Sequence, residues 1–257
     1  MEKKMKIEIP WIDKKVYLDA YFPKKKGRGD GLLPAVLICP GGGYQVIGTT
    51  EARPVADKFT DAGYAAFILH YSVGERATFG EKGFIDFAPM LDLKAAMRFL
   101  HENAETYGID EYHIVLAGFS AGGHLAAAYC YNLYGATASI GTGAYPSYIP
   151  SYLILAYAMG GGVDSGGQDK PQPDYEIAGM PYSEHPVLHD LPVFFWHAKD
   201  DQMVPYVVSE RLEKRLTKEN IPHEFLTYEH GIHARPFFDP SWFPLALDWI
   251  KNRKKTQ

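Results

Sequence analysis

Cysteine is scarce: the 257 residues hold two, Cys39 and Cys130. Both stand in apolar runs, which reads as free core thiols and gives no disulfide framework. No apolar stretch reaches the length of a membrane span, and no apolar h-region follows the charged start MEKKMKIEIPW. A cytoplasmic location without a membrane partner is therefore expected. An excess of basic residues is also missing: 26 Lys and Arg face 31 Asp and Glu, leaving a formal net charge of −5. A mildly acidic surface does not attract nucleic acid or anionic lipid, so neither is expected as a partner. There is no HExxH motif and no spaced Cys/His set, so the sequence implies no metal and no cofactor. Internal repeats and an interdomain linker are lacking too. The length then fits one large α/β domain over residues 1–257.

What is present is an ordinary globular composition, 46% hydrophobic and 22% charged, with a high aromatic content of 14% that includes 18 tyrosines. Such a surplus serves a core and its rim, and also suits stacking on sugars or aromatic acyl groups. Lys15 to Phe22 alternates between polar and apolar residues, as a half-exposed edge strand does, and the KKKGRGDG run after Pro23 makes a solvated turn. PAVLICP, 34–40, is a continuous apolar run of the kind buried on both faces of a parallel sheet. It leads into Gly41-Gly42-Gly43-Tyr44, whose unshielded backbone N–H groups can hold an anion.

A helix is expected from Glu51 to Ala62, ended by Gly63, and YAAFILHY supplies the next buried strand. Ser72 to Gly83 lacks periodicity and reads as a loop. Met90, Leu93, Met97 and Leu100 recur at helical spacing, which predicts one long amphipathic helix from Asp86 to Tyr107, ended by Gly108. HIVLAGFSAGGHLAAA, 113–128, then reads as a strand, a Gly-Phe-Ser-Ala-Gly turn with Ser120 at its tip, and a small-residue helix. GATASIGTGAYPSYIPS reads as a loop. The strand SYLILAYAM follows, then LPVFFWHA, a helix from Tyr206 to Lys218, the strand HEFLTYE and a closing helix from Ser241. Alternation of strand and helix predicts a parallel, doubly wound sheet. Residues 160–190, rich in Gly, Pro, Asp and Ser without a period, are expected to form a small cap or lid insertion.

Two polar motifs follow the last two strands, on the carboxyl edge where open α/β sheets place their ligands. They are HAKDDQMVP, 197–205, and EHGIH, 229–233. A serine followed by an acid and then a histidine matches the chain order of the α/β-hydrolase triad. Each motif offers two candidates, Asp200 or Asp201 and His230 or His233.

The motifs PGGGY, GFSAGGHLAA, H-x-x-D-D-x-x-V-P and G-x-H, spread from about Ala35 to about His233, resemble those of α/β-hydrolase esterases of the acetylesterase, acetylxylan esterase and feruloyl-esterase-like group. The resemblance implies Ser120 as nucleophile and His233, in the G-x-H position, as general base. It selects Asp201, three residues before Val204, as the acid that orients the imidazole. Asp200 is then a turn or capping residue, His230 a rim residue, His124 a packing residue within a helix, and His197 a strand end. The oxyanion hole is expected to combine the Ala121 N–H with N–H groups of Gly42 and Gly43. Many relatives carry Tyr-Arg where this chain has Tyr71-Ser72, so the bracing of nearby loops is expected to differ. The activity implied is hydrolysis of small acyl esters, acetyl above all, on carbohydrate such as acetylated xylooligosaccharides. An amidase, formamidase or small peptidase on the same fold is the other enzymatic reading, and a homo-oligomer is left open.

Overall fold

The computed structural model describes residues 5–10, 13–24, 31–76, 78–79, 84–85, 88–130, 148–159, 191–234 and 241–253. The expected cap at 160–190, the tip of the KKKGRGDG turn and most of the loop after the Ser120 helix lie outside these residues.

Eight strands form one sheet. In chain order they are β1 (Met5–Glu8), β2 (Tyr17–Tyr21), β3 (Leu33–Cys39), β4 (Ala65–His70), β7 (Ile109–Phe119), β8 (Tyr152–Ala156), β9 (Val193–Ala198) and β10 (His223–Tyr228). Across the sheet the order is β1-β2-β4-β3-β7-β8-β9-β10. β1 and β2 run antiparallel to their neighbours, while every pair from β4 to β10 is parallel. The short hairpin of β5 (Thr78–Phe79) and β6 (Phe84–Ile85) stands apart as a second, two-stranded sheet.

The continuous apolar runs of β3, β7 and β9 are explained by helices on both sides. Leu37 and Cys39 of β3 pack in a cluster with Leu93, Leu125 and Leu212, which come from α2 (Ala88–Glu102), α4 (Ala121–Cys130) and α5 (Val207–Lys218). Val36 and Ile38, one residue out of phase, pack with Val55 and Phe59 of α1 (Arg53–Asp61) and with Trp242 and Ile250 of α6 (Trp242–Arg253). Alternate residues thus feed two cores, the period of two that a strand imposes. Every residue of α4 is buried, because this helix lies over the middle of the sheet; its run of Ala and Gly allows the close approach.

Four expectations need correction. The Lys15–Phe22 segment is not an edge strand: β1 pairs outside it, and Leu18 through Tyr21 are all buried. The predicted helix at 86–107 is two, α2 and α3 (Ala104–Tyr107), interrupted at Asn103, whose side-chain amide donates to the Phe99 carbonyl. The backbone of Asn103 leaves the helical region there, at φ −113° and ψ +16°. Residues 72–83 are not all loop, since they hold a 3-10 turn at Gly74–Arg76 and β5. The helix expected from Glu51 starts at Arg53, leaving Glu51 buried in the loop before it.

Candidate active site

Ser120 stands between the end of β7 and the first residue of α4, at a φ of +51°. A non-glycine residue in the left-handed region costs about 1 kcal/mol, and the surroundings hold it there. Its N–H donates to Ala156 of β8 at 3.0 Å, and its carbonyl accepts from His124 and Met159. Helix α4 can start so close to the sheet only because position 122 is glycine; a Cβ there would overlap the carbonyl oxygens of Cys39 and Pro40.

β9 and β10 lie side by side in parallel register, with Ala198 opposite Tyr228, so the loops after them emerge together. Asp201 comes from the first loop and His233 from the second. His233 Nδ1 donates to Asp201 Oδ2 at 2.8 Å, and His233 Nε2 lies 2.8 Å from Ser120 Oγ. A carboxylate only accepts, so Nδ1 carries the proton and Nε2 is left to accept from the serine hydroxyl. Ser120, Asp201 and His233 are thereby brought into one hydrogen-bonded chain. Asp201 Oδ1 also accepts the N–H groups of Met203 and Val204. Burial alone would raise its carboxyl pKa. The bonds from His197 and His233, with the His233 charge and the Val204 N–H, outweigh that and hold it well below the usual carboxylate range.

The other candidates take separate places. Asp200 accepts from Gly231 N at 2.7 Å and pairs with the exposed His230 at 3.1 Å, a turn-bracing role. His124 is buried and its Nδ1 lies 2.9 Å from the Tyr44 hydroxyl; burial pushes its pKa down to about 4.

The glycine-rich loop runs directly past the serine. A Cβ placed on Gly41 would stand 3.0 Å from that of Ser120. The loop is closed on itself by Gln45 N and Val46 N donating to the Gly42 carbonyl, and by Gly48 N donating to Gly41. Gly42 has a φ of +122°, and a Cβ there would overlap the Val46 carbonyl, so glycine is required. Tyr44 fastens this loop to α4 through His124, and Tyr71 fastens it to β4 by donating to the Pro40 carbonyl at 2.6 Å. Among the described residues no hydrogen bond takes up the N–H of Gly42 or Gly43. The N–H of Ala121, at the first position of α4, is one of those a helix start leaves without an intrahelical partner. Ser72, at the position where the resemblance implied an arginine, gives its N–H to Asp92 of α2 at 2.7 Å, with Arg76 close enough to act on that carboxyl.

Three neighbours of the site are not evident from the sequence. His197 Nε2 lies 3.3 Å from Asp201 Oδ2, while its Nδ1 meets Ser209 Oγ at 2.8 Å. Tyr157 and Glu51 form a buried pair beside His233. The H-x-x-x-D spacing could have flagged His197; the other two are 106 residues apart and carry no local signal.

A family model described as alpha/beta hydrolase fold matches residues 87–198, and the BD-FAE model matches residues 18–137. The chain is 25% identical over 218 residues to endo-1,4-beta-xylanase B of Butyrivibrio fibrisolvens, covering 81% of this chain and 33% of that protein. It is 30% identical over 92 residues to an acetylxylan esterase of Xylanibacter ruminicola, covering 35% of this chain and 18% of that protein. The chain thus spans a third or less of the length of these curated relatives. A crystal structure of an alpha/beta hydrolase enzyme from a Medee basin deep-sea metagenome library superposes with a TM-score of 0.66 at 29% identity, covering 90% of this chain and 83% of that one.

Proposed function

We propose that this chain, which has the α/β-hydrolase fold, is a serine carboxylesterase that removes small acyl groups, acetyl above all, from carbohydrate hydroxyls. The observation that carries the chemistry is the unbroken chain from Ser120 Oγ through His233 to Asp201, each link 2.8 Å. Ser120 Oγ attacks the ester carbonyl carbon as its proton passes to His233 Nε2. The carbonyl oxygen, now negative, is met by the N–H of Ala121 and by N–H groups of Gly42 and Gly43, where each preorganised donor is worth about 3 kcal/mol of barrier. His233 returns its proton to the departing alkoxide, which leaves as the alcohol. Water then gives a proton to His233, attacks the acyl-Ser120 carbonyl, and releases the acid with the serine reprotonated. Asp201 holds the imidazole in the required tautomer throughout.

The carbohydrate acetyl ester rests on the partial likeness to an acetylxylan esterase and to a xylan-acting enzyme. Two experiments test the reading. A fluorophosphonate probe should label the wild type and fail to label Ser120→Ala; an unlabelled wild type removes the nucleophile. Acetylated xylooligosaccharides and p-nitrophenyl acetate should be cleaved faster than long-chain esters and N-formylkynurenine. Preference for long acyl chains, or for the amide, removes the acetylesterase.

A further inference from the structure

The ring of Tyr157 lies against the imidazole of His233, with centroids 4.6 Å apart and planes inclined at 65°. Several features hold it there. Tyr157 follows β8 at a φ of +35°, an uncommon conformation for a residue with a side chain. Its N–H donates to Trp196 of β9 at 2.9 Å, and the residue before it, Ala156, takes the N–H of Ser120. Its ring edge meets Phe119 and Trp196. Its hydroxyl donates to Glu51 Oε1 at 3.0 Å. The loop residue Glu51 is only 4% exposed, and its other oxygen accepts from Thr50 Oγ1. Its carboxylate packs under the glycine-rich loop, where a Cβ on Gly41 would stand 3.5 Å from Oε1. Burial, reinforced by Glu51, pushes the Tyr157 hydroxyl well above the ordinary tyrosine range, so it remains a donor.

Burying a carboxylate costs several kcal/mol unless something charged or strongly polar compensates. Among the described residues, the hydrogen bonds Glu51 accepts come from two neutral hydroxyls, and no ion pair joins it to a cation. Where Glu51 is ionised, a cation formed during turnover would offset the cost of burying it. The imidazolium of His233, formed as the proton leaves Ser120, is such a cation.

We propose that Tyr157 and Glu51 are a positioning pair for His233: the ring sets the tilt of the imidazole, and the carboxylate behind it favours the imidazolium. This rests on the reading of His233 as general base. The groups facing His233 are Ser120 on the nucleophile turn, Asp201 with His197 behind it, and Tyr157 with Glu51 behind it; Tyr71 also faces Glu51, and Asp200 with His230 lies exposed on the neighbouring turn. All but Glu51 are unchanged in the decisive variant.

The test is the acid limb of kcat/KM on p-nitrophenyl acetate. Removing a negative charge near the imidazole disfavours its protonated form, so Glu51→Gln should lower the apparent pKa of that limb by about half a unit. Glu51→Asp, which keeps the charge, should leave it near the wild-type position. Tyr157→Leu should lose about tenfold in kcat with little change in KM, whereas Tyr157→Phe, which keeps the ring, should retain kcat within about twofold. If Glu51→Gln fails to fold, the two Tyr157 variants still decide. An acid limb unmoved in folded Glu51→Gln, or a wild-type kcat in Tyr157→Leu, overturns the pair. Fluorophosphonate labelling of the wild type separates that failure from a failure of the esterase reading.

Discussion

Asp200 and Asp201 are adjacent in sequence and turn their carboxylates to different histidines of one loop. Asp201 Oδ2 takes the Nδ1–H of the largely buried His233, while Asp200 pairs with the exposed His230 and caps the Gly231 N–H. The consequence is a sharp contrast between two chemically identical substitutions. Asp201→Asn should lower kcat by about 10³ to 10⁴, because an amide in that place favours the wrong imidazole tautomer. Asp200→Asn should stay within about threefold, since exposed pairs contribute little. Initial rates on p-nitrophenyl acetate measure both.

The glycine-rich loop offers a second contrast. Gly42→Ala forces a Cβ onto the Val46 carbonyl and should shift the loop, with a rate loss of about a hundredfold, on the order of one lost oxyanion donor. Gly43, at a φ of +60°, has open space where a Cβ would go. Gly43→Ala should therefore cost only about 1 kcal/mol of backbone strain, read as a small drop in Tm, with a far smaller loss of rate.

Helix propensity and packing make opposite predictions at Gly122. Alanine in a helix is normally better than glycine by about 1 kcal/mol. Here the added methyl would overlap the carbonyl oxygens at the end of β3, so Gly122→Ala should destabilise by about 2 kcal/mol or more. Urea denaturation decides the sign.

Stability should also depend on pH through His124. Burial lowers its pKa from 6.5 to about 4, so between those values the unfolded chain binds a proton that the folded chain refuses. The contribution is fully present above pH 6.5 and is lost as pH falls towards 4, by up to about 3 kcal/mol. The half-buried His101, also shifted down by burial, adds to the same slope. Replacing His124 with glutamine should flatten the fall, measured as the urea midpoint against pH.

Much of the fold follows from local pattern. Apolar runs such as 34–40 and 191–198 could only be strands covered on both faces, and the amphipathic spacing from Met90 to Leu100 could only be a helix over them. β1 escaped because MKIE is short and charged; its partner β2 supplies the burial. The break at Asn103 escaped because the apolar spacing continues across it, while the backbone of Asn103 leaves the helical region at φ −113° and ψ +16°. At the site, the turn motif points to Ser120, while chain order narrows the acid to Asp200 or Asp201 and the base to His230 or His233, and only the family resemblance selects Asp201 and His233. Glu51 and Tyr157 carry no such signal, because a buried carboxylate is recognised only once the partner 106 residues away is brought beside it.

The order of the strands has a temporal meaning as well. The serine turn is complete by residue 130, but its histidine stands 113 positions after Ser120, beyond β9 and β10 at the sheet edge. During synthesis the nucleophile therefore exists for about half the chain without a base. Chains grow at about 5–20 residues per second, so that interval lasts from about 6 to about 20 seconds. A chain that ends before β10 holds the serine turn without His233, so fluorophosphonate labelling of Ser120 is expected only once the final edge of the sheet is in place.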